Sequence, residues 1–148
     1  MNYLSDAFLK YWFKGFENAI NHMNINDSEA ILKQCGRACS DSYTKQVYIE
    51  EYAHSKSIED FLNRLKERFS EIEYQIIKDD EIILLTYNHC ACELVQNGFI
   101  STPLLCECSR QSLLYNWETV MGERVVKIEL IESILRGSSH CRFEIYLK

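Results

Sequence analysis

From Tyr3 to His22 apolar side chains recur at helical spacing. Leu4, Ala7, Phe8, Tyr11, Trp12 and Ile20 fall near one stripe, and Phe13 and Phe16 widen it, which predicts a well-buried first helix. Asn26 carries a capping oxygen three residues before Glu29, the spacing of a capping box. A second helix is therefore expected from Asp27 towards His54, with Ile31, Cys35, Ala38 and Cys39 on its inner face. Ser57 can cap a third, in which Ile58, Phe61, Leu62, Leu65 and Phe69 repeat at helical spacing.

The period then changes. Ile72, Tyr74 and Ile76 alternate with polar residues, Asp79-Asp80 supplies a turn, and Glu81 to Tyr87 is a β-rich apolar run, the pattern of a hairpin. Asn88 to Cys108 has no clear period and reads as a long functional connection that has room for a short helix. Ser109 can cap a helix with Leu113, Leu114, Trp117, Val120 and Met121 on one face, and Gly122 is placed to end it. In the last stretch Val126, Ile128 and Leu130 alternate with Lys127 and Glu129. Arg136 to Ser139 supplies turn chemistry, and Cys141, Phe143, Ile145 and Leu147 alternate with polar neighbours. The order predicts one α+β domain over residues 1–148, with N-terminal helices packed on an antiparallel sheet made of two hairpins and a crossover helix.

A chain of 148 residues suits one core, and hydrophobic residues at 47% with a single proline, Pro103, suit a globular one. The formal charge of −6 and the scattered basic residues argue against a nucleic-acid partner. The N-terminus lacks the basic and apolar regions of a secretory signal, and no segment is apolar for long enough to span a bilayer, so a cytoplasmic location with no membrane partner is expected.

Seven cysteines change this otherwise ordinary picture. Six of them pair closely as Cys35/Cys39, Cys90/Cys92 and Cys106/Cys108. In a reducing compartment, paired thiols point to metal ligation or redox chemistry more than to structural bridges. With an extended or turned backbone, Cys90, Cys92, Cys106 and Cys108 can supply the four thiolates of a zinc site that braces the irregular segment. Cys35 and Cys39, four apart on one helix face, form a rival pair. Equally, all six can be reduced, apolar side chains packed around a pocket. Cys141 shares the inward phase of Phe143 and Ile145 and reads as core. His89 beside Cys90 is a candidate ligand or ligand-binding residue, whereas adjacent strand residues face opposite ways and leave His140 outside. His22 and His54 suit helix ends. Glu129 and Glu132 fall on opposite strand faces and read as solvated. Tyr11, Trp12, Phe13 and Phe16 read as core more readily than as a cavity lining.

The run from the cysteine segment through Gly122-Glu123-Arg124-Val125-Val126 to Gly137-Ser138-Ser139-His140-Cys141-Arg142-Phe143-Glu144-Ile145 resembles the 4-vinyl reductase domain family over roughly the last sixty residues. The resemblance implies a small-molecule-binding or sensing module, sometimes carrying zinc, with Gly137, Cys141 and Phe143 as shared fold positions. The same order is similar to the L-2-amino-thiazoline-4-carboxylic acid hydrolase family. That likeness implies a hydrolase acting on a small cyclic amino acid, with Cys90 or Cys106 as nucleophile or zinc activating water. Two Cys-x-Cys pairs depart from both patterns. The expected partner is a small-molecule ligand near Cys35, Cys39 and His89, and a homodimer is an open reading.

Overall fold

Helix-start chemistry organises the N-terminal half of the computed structural model, which describes residues 3–90 and 92–148, with side chains in the first helix described from residue 6. The Leu4 side chain of the predicted stripe lies outside the described residues. Helix α1 (Tyr3–His22) leads to Asn24, which accepts the Asp27 N–H at 2.9 Å and donates to the Asp27 carboxylate at 2.7 Å. This reciprocal cap starts α2 (Ile25–Cys39) at Asn24, two residues before the expected Asn26. The long second helix is divided by a π-helical turn over Ser40–Thr44, after which α3 (Lys45–Ala53) continues. Ser57 caps α4 (Ile58–Arg68) as its spacing predicts, accepting the Asp60 N–H at 3.1 Å.

Strands β1 (Ile72–Lys78), β2 (Ile82–Tyr87), β3 (Val125–Glu132) and β4 (Cys141–Leu147) form one antiparallel sheet in the order β1-β2-β4-β3. Two hairpins are thus joined edge to edge through β2 and β4. Between them run the short α5 (Glu93–Gln96) and the crossover helix α6 (Leu105–Met121). Register pairs Ile83 with Ile145 and Leu85 with Phe143, and on the other side Ile128 with Ile145. These side chains line one sheet face, which α3, α4 and α6 cover with Tyr48, Phe61, Leu62, Leu65 and Trp117. Phe61 and Trp117 are wholly buried with ring centroids 5.4 Å apart. Burial of the Trp117 ring alone stabilises by roughly 4–6 kcal/mol before entropy is subtracted. The fold is the expected α+β arrangement.

Two expectations fail for local reasons. Val126 was expected to face inward with Ile128 and Leu130, but the β3–β4 register shifts between Val125 and Lys127, and the bulge turns Val126 to solvent. Ile77 and Ile131 are exposed at similar shifts on β1 and β3. All three bulges lie on the edge strands, where a local kink discourages further strand pairing.

The first helix is not well buried either. Its docked side is Phe13, Phe16 and Ile20, which join Leu32, Ile100 and Leu105 in a second, smaller core. Phe8, Tyr11 and Trp12 stand 65%, 78% and 55% exposed. An apolar arc this wide needs neighbours on two sides, and the fold supplies one. Among the described residues, no helix is long and apolar enough to cross a membrane.

Candidate functional site

The face that α2 turns inward is built from small residues every fourth position: Ser28, Gly36 and Ser40, with Leu32 among them, are all buried. Residues four apart on a helix stack on one side. Small side chains there let α2 press its backbone against α6. A Cβ on Gly36 would sit 2.6 Å from the Cys108 carbonyl oxygen and 2.9 Å from the Ser112 nitrogen. One residue-turn further on, the Ser40 hydroxyl meets the Ser112 hydroxyl at 2.7 Å and its carbonyl at 3.0 Å.

Helix α6 begins earlier than Ser109. A turn leads into its first residue, Leu105: the Thr102 carbonyl accepts the Leu105 N–H at 3.1 Å and the Thr102 hydroxyl the Leu104 N–H at 3.4 Å, with Pro103 inside that turn. Proline suits that position because the N–H it lacks would have no partner there. The consequence for the thiols is large. Cys106 and Cys108 lie in the first turn of a helix and not in a loop. Two residues apart on a helix is a rotation of about 200°, so the two side chains leave opposite sides.

The cysteines accordingly divide into two neighbourhoods. The Cys108 thiol lies within electrostatic reach of Cys39, Cys35 and Cys92. Burial first, then those neighbours and Glu107, push its pKa up to about 12. Cys39 is raised as well, by burial and then by Cys92, with the Ser112 hydroxyl partly offsetting the rise. Around Cys90 the neighbours are Cys92, Cys141 and Cys106. Its pKa is raised mainly by burial, against the Cys92 backbone N–H, which favours the thiolate. Cys141 is raised by burial too, and it accepts the Ile134 N–H at 3.3 Å. It packs on the main core, as its inward phase predicts.

Of the three pairs read from spacing only Cys106/Cys108 is divided: Cys35 and Cys39 both lie towards Cys108, and Cys92 neighbours both Cys90 and Cys108. Cys35, Ala38 and Cys39, expected on the inner face of the second helix, are exposed beside the Ser28–Leu32–Gly36–Ser40 face, with Cys35 and Cys39 on the margin nearer Cys108. Cys92 caps α5, its carbonyl accepting the Val95 and Gln96 N–H groups at 3.1 and 3.0 Å. Its side chain and that of Cys108 pack against the smaller core. Cys106 is buried, and His89 is exposed just before Cys90. His140 lies in the loop before β4 and is half-buried, with its Nδ1 2.8 Å from the Ser139 hydroxyl. His22 and His54 sit at the ends of α1 and α3, each ring nitrogen against a carbonyl one turn back.

All seven thiols are free. Among the described residues, no three His, Cys, Asp or Glu side chains stand close enough together, as placed, to hold a metal ion. A small solvent-open recess of about 80 Å³ lies beside the same helix pair, with Glu29, Glu107 and Arg136 around Leu32. Glu107 is gripped by Arg110 at 2.5 Å and Gln111 at 3.0 Å. Burial would raise its pKa, but those hydrogen bonds outweigh it and hold the carboxyl below its usual range.

Sequence reasoning missed the Gly36–Ser40–Ser112 crossing, although Ser28, Leu32, Gly36 and Ser40 at four-residue intervals were its visible signal. It also missed Glu17, whose carboxylate accepts the Ser101 and Thr102 N–H groups at 2.6 and 2.8 Å and ties α1 to the start of α6. Nothing in the residue pattern announced that contact. Comparison of the sequence with protein-family models and with curated proteins finds no match.

Proposed function

We propose that this chain is a binding or sensing domain whose responsive element is the thiol corner of α2, α5 and α6. Its ligand is a thiophilic cation, with zinc the expected metal. One observation carries the reading: Cys35, Cys39 and Cys92, from α2 and the start of α5, all lie within electrostatic reach of Cys108 on α6. Burial holds the protons on Cys108 and Cys39, and a divalent cation bound by their thiolates would offset that cost. The quartet in this proposal is Cys35, Cys39, Cys92 and Cys108. It replaces the Cys90, Cys92, Cys106 and Cys108 set drawn from spacing, because Cys106 leaves α6 on the side away from Cys108. As placed, the thiols are too far apart to hold the ion, so binding requires side-chain rotation, for which the exposed Cys35 and Cys39 have room.

The resemblance to the 4-vinyl reductase domain supports a sensing role, and free thiols suit a reducing compartment such as the cytoplasm. A homodimer belongs to the same proposal. The small-molecule hydrolase reading draws less support. Cys90 has a raised pKa and Cys106 is buried, so neither presents a ready thiolate to a substrate. Turnover of thiazoline carboxylates would reverse that preference.

The test is titration of reduced, chelator-treated protein with cadmium, followed by thiolate charge-transfer absorption, and with zinc against a chromophoric chelator. One ion per chain is expected, with affinity rising with pH because bound thiols lose their protons. Cys39→Ser and Cys108→Ser should each weaken binding by about tenfold or more, and Cys141→Ser should not. Absence of binding, or binding indifferent to Cys108→Ser, sinks the proposal.

A further inference from the structure

Helix α1 carries a second apolar face that none of the described residues covers. Phe8, Tyr11, Gly15, Ala19 and His22 recur at steps of three, four, four and three residues, which keeps them on one helix face, and Trp12 flanks it. Every one of these residues is exposed. The seam holds no Asp, Glu, Lys or Arg: Asp6, Lys10, Lys14 and Glu17 all fall to its sides.

Two details distinguish this face from scattered surface hydrophobics. Trp12 is held in place, stacked on Phe16 at 6.0 Å and edge-on to Phe13 at 5.2 Å. Phe13 is in turn stacked on Phe99 at 5.6 Å, so an exposed indole is positioned by packing beneath it. Rigid, exposed Trp and Tyr side chains are the residues that dominate protein interfaces. Gly15 is the second detail. It sits mid-helix, where glycine costs about 1 kcal/mol relative to alanine, yet a Cβ there would meet nothing within 4 Å. The fold does not need this glycine. A helix packed across it from outside would.

We propose that α1 pairs antiparallel with α1 of a second copy of this chain. The seam is self-complementary: the large Phe8, Tyr11 and Trp12 occupy its N-terminal half and the small Gly15 and Ala19 its C-terminal half. In an antiparallel pair the rings of each copy lie over the small residues of the other, and the helix dipoles oppose favourably. The three rings offer roughly 400–500 Å² per copy at their present exposure. Gly15, Ala19 and His22 add a smaller area, which places the pair near the small end of stable interfaces, about 600 Å² per partner. A lipid surface suits the seam less well, since Lys10 and Lys14 on its sides are balanced by Asp6 and Glu17 and the chain has a net charge of −6.

Sedimentation equilibrium of the full chain across a micromolar concentration series tests the pairing. The unaltered chain should dimerise. Tyr11→Glu should raise the dissociation constant by about tenfold or more by placing a charge in the seam. Gly15→Leu should do the same by filling the hollow, while its melting temperature, measured below the dissociation constant, stays level or rises because leucine favours helix and clashes with nothing in the monomer. That second variant separates a lost interface from a lost fold. A monomer throughout the series, a dimer unchanged in both variants, or co-sedimentation of the monomer with anionic vesicles would each overturn the proposal.

Discussion

Two regions of the molecule are packed on different principles. Beneath the sheet, Trp117, Phe61, Leu62 and Leu65 interlock with Ile83, Leu85 and Ile145 in a dry layer of large side chains. At the other side of α6, contact with α2 is made by Gly36, Ser40 and Ser112, close enough that backbone meets backbone. Large side chains gain stability by area, whereas small ones gain it by close approach and leave little tolerance for added atoms. The thiols sit along the second contact. A domain that senses through its cysteines would thus keep its stability in one layer and its responsive groups in another.

The sharpest test of this contrast is Trp117→Ala, which should cost about 3–5 kcal/mol in urea unfolding by opening a cavity in the main core. Trp117→Phe should cost much less, because the indole N–H has no hydrogen-bond partner among the described residues and leaves none stranded. A small effect of Trp117→Ala would mean that stability is not concentrated beneath the sheet. Gly36→Ala comes next. Helix propensity favours alanine by about 1 kcal/mol, but its methyl would stand 2.6 Å from the Cys108 carbonyl oxygen. Forcing α2 away from α6 should leave a net loss of roughly 1–2 kcal/mol and make Cys108 faster to alkylate. A neutral or stabilising result would show that the crossing is looser than the contact implies.

The smallest expected effect is alkaline. Unfolded thiols ionise near the ordinary value of 9.0, while folded Cys108 holds its proton to about 12. Between those values the unfolded chain binds fewer protons, so stability should fall as pH rises through that window and stay flat just below it. Tyr48 and Tyr87, both raised mainly by burial, act with the same sign. Comparing unfolding of Cys108→Ser with the unaltered chain isolates the thiol, and an identical alkaline slope would remove Cys108 from the account.

Much of the architecture was legible in the residues. Ser57 capped its helix, Asp79-Asp80 turned the first hairpin with Asp80 at a φ of 59°, and Gly137 at a φ of 98° turned the second. Such signals are local, needing only a cap, a turn residue or a period. Ser109 misled because Thr102 and Pro103 supplied a stronger start, and that moved Cys106 and Cys108 from an assumed loop into a helix. Val126 misled because a bulge shifts phase without any mark in a single strand's sequence.

Alternation and capping therefore determined the helices, the hairpins and the α+β class, because those patterns act within a few residues. The seven cysteines were countable, but their company was not. Only the tertiary structure brought Cys35, Cys39 and Cys92 within electrostatic reach of Cys108, and Cys106 and Cys141 within that of Cys90. Helix rotation separates residues two apart, and the closeness of α2 to α6 joins residues about seventy apart. Neither is a property of spacing along the chain.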